Sequence, residues 1–259
     1  MDDRIFMTSQ QRQSKILALI NEKGFISIDE LVELFDVTPQ TIRRDLNQMA
    51  DASKIRRHHG GAERESSTEN EDYQSRKINH LDSKKKMAAQ IASMVPNGAS
   101  LFINIGTSTE MVARALLQHR ALRVVTNNIH VASILSANDD FQVIIAAGEV
   151  RHSDGGIVGE ATCDFISQFN MDIGIIGISG IGNDGALLDY DFREVKVAQA
   201  IIANSSKVIL AADHSKFGRS AMVKQANINQ INALVTDKPV PEHLDKVLKE
   251  QKIEVFICD

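Results

Sequence analysis

The chain has 259 residues, 43% hydrophobic and 24% charged, with a net charge of −5. That is an ordinary soluble composition, and the length holds a small domain plus a larger one with a sizeable core. Cys163 and Cys258 lie outside any metal or redox spacing, the first residues carry no signal pattern, and no apolar run approaches a bilayer span, so a cytoplasmic protein with no membrane contact is expected.

The first helix is predicted over Arg12–Asn21, with Ile16, Leu19 and Ile20 on one face and Gly24 as its stop. After the short apolar stretch Phe25–Ile28, a second helix is expected over Asp29–Phe35, with Leu31, Leu34 and Phe35 at helical spacing. Only Asp36 and Val37 separate it from Thr38, a good N-cap, and Pro39, which suits a first helical position. Two short helices meeting at a tight turn form a helix-turn-helix.

In the helix that Pro39 opens, Ile42, Leu46 and Met49 point to a core, while Gln40, Thr41, Arg43, Arg44 and Asn47 occupy the other face. Gln, Arg and Asn can make paired hydrogen bonds to base edges, and Arg and Thr also hold phosphates. Lys54 to Gly61 reads as a small basic hairpin, a wing whose Arg56, Arg57, His58 and His59 would lie on the DNA backbone. No Cys or carboxylate at ligand spacing makes the two histidines a metal site.

Residues 1–62 hold nine Lys/Arg and nine Asp/Glu, but between 43 and 57 five cations face two acids, Asp45 and Asp51. The positive charge therefore collects on the proposed DNA face. The plain alternative is a solvated face with Arg43 and Arg44 paired to nearby acids; cap, spacing, turn and wing together favour DNA binding by residues including Thr38. This winged helix-turn-helix is placed at residues 1–62.

Residues 63–75 are polar, acidic and aperiodic, the pattern of a linker. Beyond it, at 76–259, a helix over Lys84–Val95 precedes alternating strands and helices. Strands are predicted at Ala99–Ile105, Leu122–Thr126, Phe141–Ala146, Asp172–Ser179, Lys207–Ala212, Ala233–Thr236 and Ile253–Ile257. Helices are predicted at Ser108–Gln118, Ile129–Ser136, Glu160–Phe169, Glu194–Asn204 and Glu242–Lys249. Continuous Val/Ile runs imply a mostly parallel sheet covered on both faces, with ligands outside the carboxyl ends of its strands. The whole chain is thus an α+β two-domain protein.

Those ends carry Asn104-Ile105-Gly106-Thr107-Ser108-Thr109, Thr126-Asn127-Asn128, Gly148 followed by Arg151, and Asp213 followed by Lys216. Glycine and hydroxyl residues opening a helix offer N–H groups and a favourable dipole to an anion. Each piece has a plainer reading: a helix cap at 107–109, a turn and Asn cap at 126–128, a surface ion pair at 213–216. Convergence on one sheet edge favours a site for a small ligand bearing phosphate and hydroxyls.

With these segments in view, the chain resembles the DeoR family of bacterial sugar-metabolism regulators from about Gln11 onward. The resemblance rests on Arg12, Lys15, Ile16, Ile20 and Gly24, on Asp29–Ala50, Arg56–Ala62, Ile105–Thr109, Thr126–Asn128, Ala147–Arg151 and Asp213–Gly218. It implies a repressor whose sensor domain is related to ribose-5-phosphate-isomerase-like folds. Such a repressor acts as a homodimer or homotetramer on double-stranded operator DNA and is released by a phosphorylated metabolite. The closer resemblance of the segments at 56–62, 154–169, 177–181 and 213–223 implies glycerol 3-phosphate, another sugar phosphate being the alternative.

Carried over, Gly106, Thr107, Ser108 and Thr109 would hold phosphate, with Asn127, Arg151, Asp213 and Lys216 around the polyol and Arg76 and Lys84 matching a basic pair. Asn104 stands where the family usually has Asp, Ser108 where a second Thr is usual, and Ser83 where Glu precedes Lys84. No cofactor, metal or catalytic residue is expected. The rival is a sugar-phosphate isomerase with an accessory head, in which Glu149, Asp213 and Lys216 would supply acid/base chemistry.

Overall fold

The computed structural model describes residues 7–51, 54–58, 60–64 and 68–258, and the chain divides into two units, Met1–Ser67 and Thr68–Asp259. His59, expected in the wing, lies outside the described residues.

In the first unit, local capping chemistry sets the helices. Thr8 opens α1 (Ser9–Lys23) in a reciprocal capping box with Gln11, and Gly24, at φ 80°, donates its N–H back to the Ile20 carbonyl. After β1 (Phe25–Ser27), Ser27 and Glu30 form the same box at the start of α2 (Ile28–Phe35). Thr38 Oγ1 accepts the Thr41 N–H at 3.2 Å to start α3 (Pro39–Asp51). β2 (Ile55–His58) and β3 (Gly61–Arg64) form the hairpin, and β1 joins β3 in an antiparallel sheet ordered β1-β3-β2. Gly61 is dictated by that crossing, since a Cβ there would lie 2.3 Å from the Ile26 carbonyl oxygen. Ile16, Ile20, Ile26, Leu31, Ile42, Leu46, Met49 and Ile55 fill one core between the three helices and the sheet. Leu34, expected to face that core, is exposed.

The second unit begins with α4 (Tyr73–Ile78) and α5 (Leu81–Ser93). There follow β4 (Ser100–Ile103), α6 (Thr107–Ala115), β5 (Arg123–Thr126), α7 (Ile129–Leu135), β6 (Gln142–Ile145), β7 (Glu149–Val150), β8 (Ile157–Val158) and α8 (Glu160–Ile166). The rest comprises β9 (Met171–Gly177), β10 (Gly180–Ile181), β11 (Ala186–Asp189), α9 (Phe192–Ala203), β12 (Ser205–Ala211), β13 (Val223–Asn227), β14 (Ala233–Thr236), α10 (Glu242–Glu250) and β15 (Glu254–Ile257). Two segments differ from the expected linker at 63–75: Glu63 and Arg64 complete the wing strand, and the α4 helix, capped by Asp72, begins at Tyr73.

Seven strands form one sheet ordered β15-β14-β12-β9-β4-β5-β6, and every pairing in it is parallel. Alternation along β4 splits the core: Leu101 and Ile103 pack with Met87 and Ile91 of α5 and Val112 of α6, whereas Phe102 packs with Val197 and Ile201 of α9 and Leu244 of α10. Helices therefore cover both faces. The strand order reverses between β4 and β9, and in such sheets a crevice opens at that reversal, outside the carboxyl ends. β10, β11 and β13 form a small antiparallel sheet, and β7 and β8 a hairpin. Among the described residues no helix is long and apolar enough to cross a membrane.

Candidate functional site

On α3, Gln40, Arg43, Arg44 and Asn47 recur at helical spacing and are exposed, while Ile42, Leu46 and Met49 are buried on the other side. Thr38 and Thr41 share a hydroxyl hydrogen bond of 2.9 Å, which leaves them at the tip of the helix. Arg43 and Arg44 make no hydrogen bond or ion pair among the described residues. Asp45 departs from the expectation that it offsets the cations. It lies on the buried side, where Arg12 Nε and Ser9 Oγ (2.6 Å) donate to it. Burial alone would push its carboxyl up, but the bonds from Arg12, Ser9 and Gln13 and the Arg12 charge hold it below the usual range. One of the two acids thus leaves the exposed face, and α1 is tied to α3.

The wing is more engaged than a row of bare cations. Across the β2–β3 register Arg56 opposes Glu63, and Arg56 Nη1 (3.5 Å) and His58 Nε2 (2.9 Å) both approach its carboxylate. Arg57 Nη1 donates to Asn47 Oδ1, so the wing holds a base-reading candidate of α3 in place.

In the second unit, the loop after β4 starts at the sheet's reversal point. Asn104 donates its N–H to the Ile175 carbonyl of β9 at 3.0 Å, and its side chain is 1% exposed with Oδ1 unpartnered. Gly106, at φ 144°, turns the chain into α6. Thr109 Oγ1 donates to the carbonyls of Asn104 (2.7 Å) and Gly106 (2.8 Å), which locks the loop from inside. Thr107 Oγ1 donates to the Arg76 carbonyl at 3.3 Å, and Ser108 is half-buried at the same helix start.

At the end of β5, Thr126 Oγ1 donates to the Ile103 carbonyl at 2.6 Å, and Asn128 Oδ1 caps α7 by accepting the His130 and Val131 N–H groups. Thr126 is thereby committed to the fold and Asn128 Oδ1 to the cap, as the turn-and-cap reading supposed, but the buried Asn128 Nδ2 has no hydrogen-bond partner. Asn127 differs: Nδ2 donates to the Ile157 carbonyl at 3.1 Å, but the buried Oδ1 has no partner. An unmatched buried amide oxygen is costly unless something donates to it.

A cluster of charges gathers at the same edge. Lys84 donates to the carbonyls of Arg76 and Asn79 and is pushed down to about 8 by burial, with Lys216 and Arg76 adding repulsion. Burial also lowers Lys216, which feels Asp213, Arg219 and Arg76. Asp213 is buried, yet Lys216, Ser215, His80 and Lys84 bring it down to about 2. Arg76 donates to the Glu71 carbonyl at 3.1 Å and approaches Asp154 at 3.7 Å. Arg76, Lys84, Asp213, Lys216 and Thr107 are thus brought together.

Arg151 reaches this cluster only through Asp154, which it shares with Arg76. Arg151 makes a bidentate pair with Asp154 (2.9 and 2.7 Å) and reaches Asp191 (3.0 Å) and Glu194 (2.6 Å). Burial works against its charge, but Glu194 and Asp154 hold the proton on. Its donors are spent on carboxylates rather than left for a polyol. Gly148 is exposed, and a Cβ there would collide with Thr162 at 2.1 Å, which is a packing constraint.

Reasoning from the residues overlooked Tyr73, Glu110 and Ser179. Tyr73 donates its hydroxyl to both carboxylate oxygens of Glu110 in the first turn of α6 (2.9 and 3.0 Å), and Ser179, after β9, accepts from Asn70 at 3.2 Å. Among the described residues no group of three or more His, Cys, Asp or Glu side chains could hold a metal ion.

Comparison with known proteins fits this geometry. The chain is 50% identical to the glycerol-3-phosphate regulon repressor of Escherichia coli K12 over 252 residues, covering 97% of this chain and 100% of that protein. It is also 50% identical to the repressor of the same name from Haemophilus influenzae over 253 residues, with 98% of both covered. The Escherichia coli transcriptional repressor CsqR is 39% identical over 251 residues, 97% of this chain and 96% of that protein. Ribose 5-phosphate isomerase from Plasmodium falciparum overlays with a TM-score of 0.38 at 15% identity, covering 52% of each chain, a likeness too low to carry an argument. Residues 12–68 match the DeoR-like helix-turn-helix domain and residues 79–238 the DeoR C terminal sensor domain. The chain belongs to the DeoR family of helix-turn-helix transcriptional regulators.

Proposed function

We propose that this protein represses genes of glycerol 3-phosphate metabolism and leaves its operator when glycerol 3-phosphate binds the sensor unit. Full-length identity to two glycerol-3-phosphate regulon repressors supports the assignment. The observation that carries the effector chemistry is the pairing of two unlike elements at one sheet edge. Arg76, Lys84 and Lys216 gather by the amino end of α6, and the unpartnered amide oxygens of Asn104 and Asn127 close the neighbouring strand ends. Cations and helix N–H groups select a phosphoryl group, while neutral buried acceptors select hydroxyl donors.

In this reading the backbone of Gly106–Thr109 and the Thr107 and Ser108 hydroxyls take the phosphate, and Asn104, Asn127 and Asp213 take the polyol. Thr126, Asn128, Gly148 and Arg151 shape the walls. The head reads DNA through Gln40, Thr41, Arg43, Arg44 and Asn47, with Arg56, Arg57 and His58 on the backbone. A homodimer or homotetramer would meet a roughly palindromic operator with half-sites about 34–36 Å apart or a multiple of that.

Operator affinity measured at increasing glycerol 3-phosphate tests the reading. A coupling of about 1–3 kcal/mol lowers affinity about 5–150-fold at saturation. Unchanged affinity at saturating metabolite, with release by a different sugar phosphate, would reassign the effector.

A further inference from the structure

The chain enters the sensor unit through a stretch whose polar groups are spent on the effector site. Residues 65–72 join β3 to α4. From there, Asn70 Nδ2 donates to Ser179 Oγ at 3.2 Å, at the end of β9. Tyr73 donates its hydroxyl to Glu110 at 2.9 and 3.0 Å, and its ring stacks on His130 with centroids 5.5 Å apart. The Arg76 carbonyl, in the last turn of α4, accepts from two donors at once: the Thr107 hydroxyl at 3.3 Å and the Lys84 ammonium. Asn79, just past α4, gives Lys84 its second acceptor at 2.8 Å.

Those two donors belong to the groups that a phosphate at the start of α6 would recruit. An ammonium or hydroxyl bonds a charged oxygen more strongly than a neutral carbonyl. A half-buried carbonyl stripped of both donors loses part of what keeps α4 docked.

We propose that α4 is the device that reports effector binding to the head: its terminal carbonyls and a bound phosphoryl group compete for the Thr107 hydroxyl and the Lys84 ammonium, so the effector weakens the dock of α4 while the Arg76 guanidinium stays at the site. This rests on the effector site proposed above. Docked α4 fixes where the chain enters the sensor unit, and the effector loosens that hold. No bond is made or broken covalently; two donors exchange acceptors.

Tyr73 lies outside the binding machinery but inside the dock, which makes Tyr73→Phe the informative variant in the full chain. Loss of its bond to Glu110 weakens the docked state, and what opposes docking favours the effector. Glycerol 3-phosphate should therefore bind roughly 2–10-fold more tightly, the scale of one such bond. Half-release of operator should move to correspondingly lower metabolite concentration. A merely structural role would leave glycerol 3-phosphate affinity unchanged or weaken it, and either result in the folded variant overturns the proposal. Should Tyr73→Phe fail to fold, hydrogen exchange on the native chain decides: amides of 73–80 must exchange faster with glycerol 3-phosphate bound, and equal or greater protection overturns it. If the native chain binds no glycerol 3-phosphate, the site reading falls and this proposal with it. If it binds and is released from operator while Tyr73→Phe binds no more tightly, only the coupling falls.

Discussion

Lys84 is 4% exposed, and its ammonium donates to two carbonyls. Burial, helped by Lys216 and Arg76 and resisted by Asp213 and Glu71, brings it down to about 8. A phosphomonoester remains a dianion above that pH and would raise the lysine again, so binding takes up a proton there. Glycerol 3-phosphate affinity should hold near neutrality and fall as pH rises through 8, by at most about tenfold per unit. Lys216, also lowered by burial, titrates in the same direction, so the part belonging to Lys84 is the difference between the native profile and that of Lys84→Met. Stability moves the other way: the folded value lies below the unfolded one, so between the two the unfolded chain binds more protons and stability rises with pH. Calorimetric titration from pH 7 to 9.5 separates the two, and an affinity flat across that range would remove Lys84 from the phosphate. Thr107 and Asn104 were legible as candidates because they sit in a strand–turn–helix with known anion chemistry, whereas Lys84, in α5, came only from the resemblance to the family. Tyr73 was not, since it lies in an aperiodic polar stretch and its partner Glu110 is 37 residues away. Asp45 was misplaced although it shares a helix face with Ile42 and Met49; charge was read there without its angle.

Two ties fix α3 within its unit. The buried Arg12–Asp45 pair fastens it to α1, and Arg57 of the wing holds Asn47. Against that fixed frame Arg43 and Arg44 project with no partner among the described residues, which is the arrangement a groove-reading side chain needs. If either reads a guanine edge, its replacement by Ala should cost roughly 1–3 kcal/mol on operator and relax preference at one base pair. If it touches phosphate only, the loss should be nearly uniform over sequences, with the salt slope smaller by about one. Binding assays on operator and on scrambled duplex at two salt concentrations distinguish these, and no loss on either duplex would dismiss α3 as the reading element. Its start was legible because Thr38 and Pro39 announce it chemically. The seven strands of the parallel sheet were legible as apolar runs. The short strands β7, β8, β10, β11 and β13 were not: runs of 2–5 residues carry no period, and their pairing depends on distant partners. Glu63 belongs to a strand for the same reason, its role being set by Arg56 across the hairpin.

Across the whole chain, two sets of buried residues share no member. The head closes around Ile16, Ile42 and Leu46, and the sensor around two layers on either side of its sheet. Separate cores unfold separately unless a large apolar interface couples them. The proposed effector site draws every group from the sensor unit, so its ligand can stabilise only that unit directly. Scanning calorimetry of the full chain should then resolve two transitions. Glycerol 3-phosphate at 100 times its dissociation constant should raise sensor stability by about 2.7 kcal/mol, and the gain should grow with the logarithm of concentration. The head transition should stay in place, because release of operator requires its displacement and not its melting. A head transition that moved with the metabolite would mean that the two cores are thermodynamically one, and the message would then travel through packing rather than through the segment that joins them.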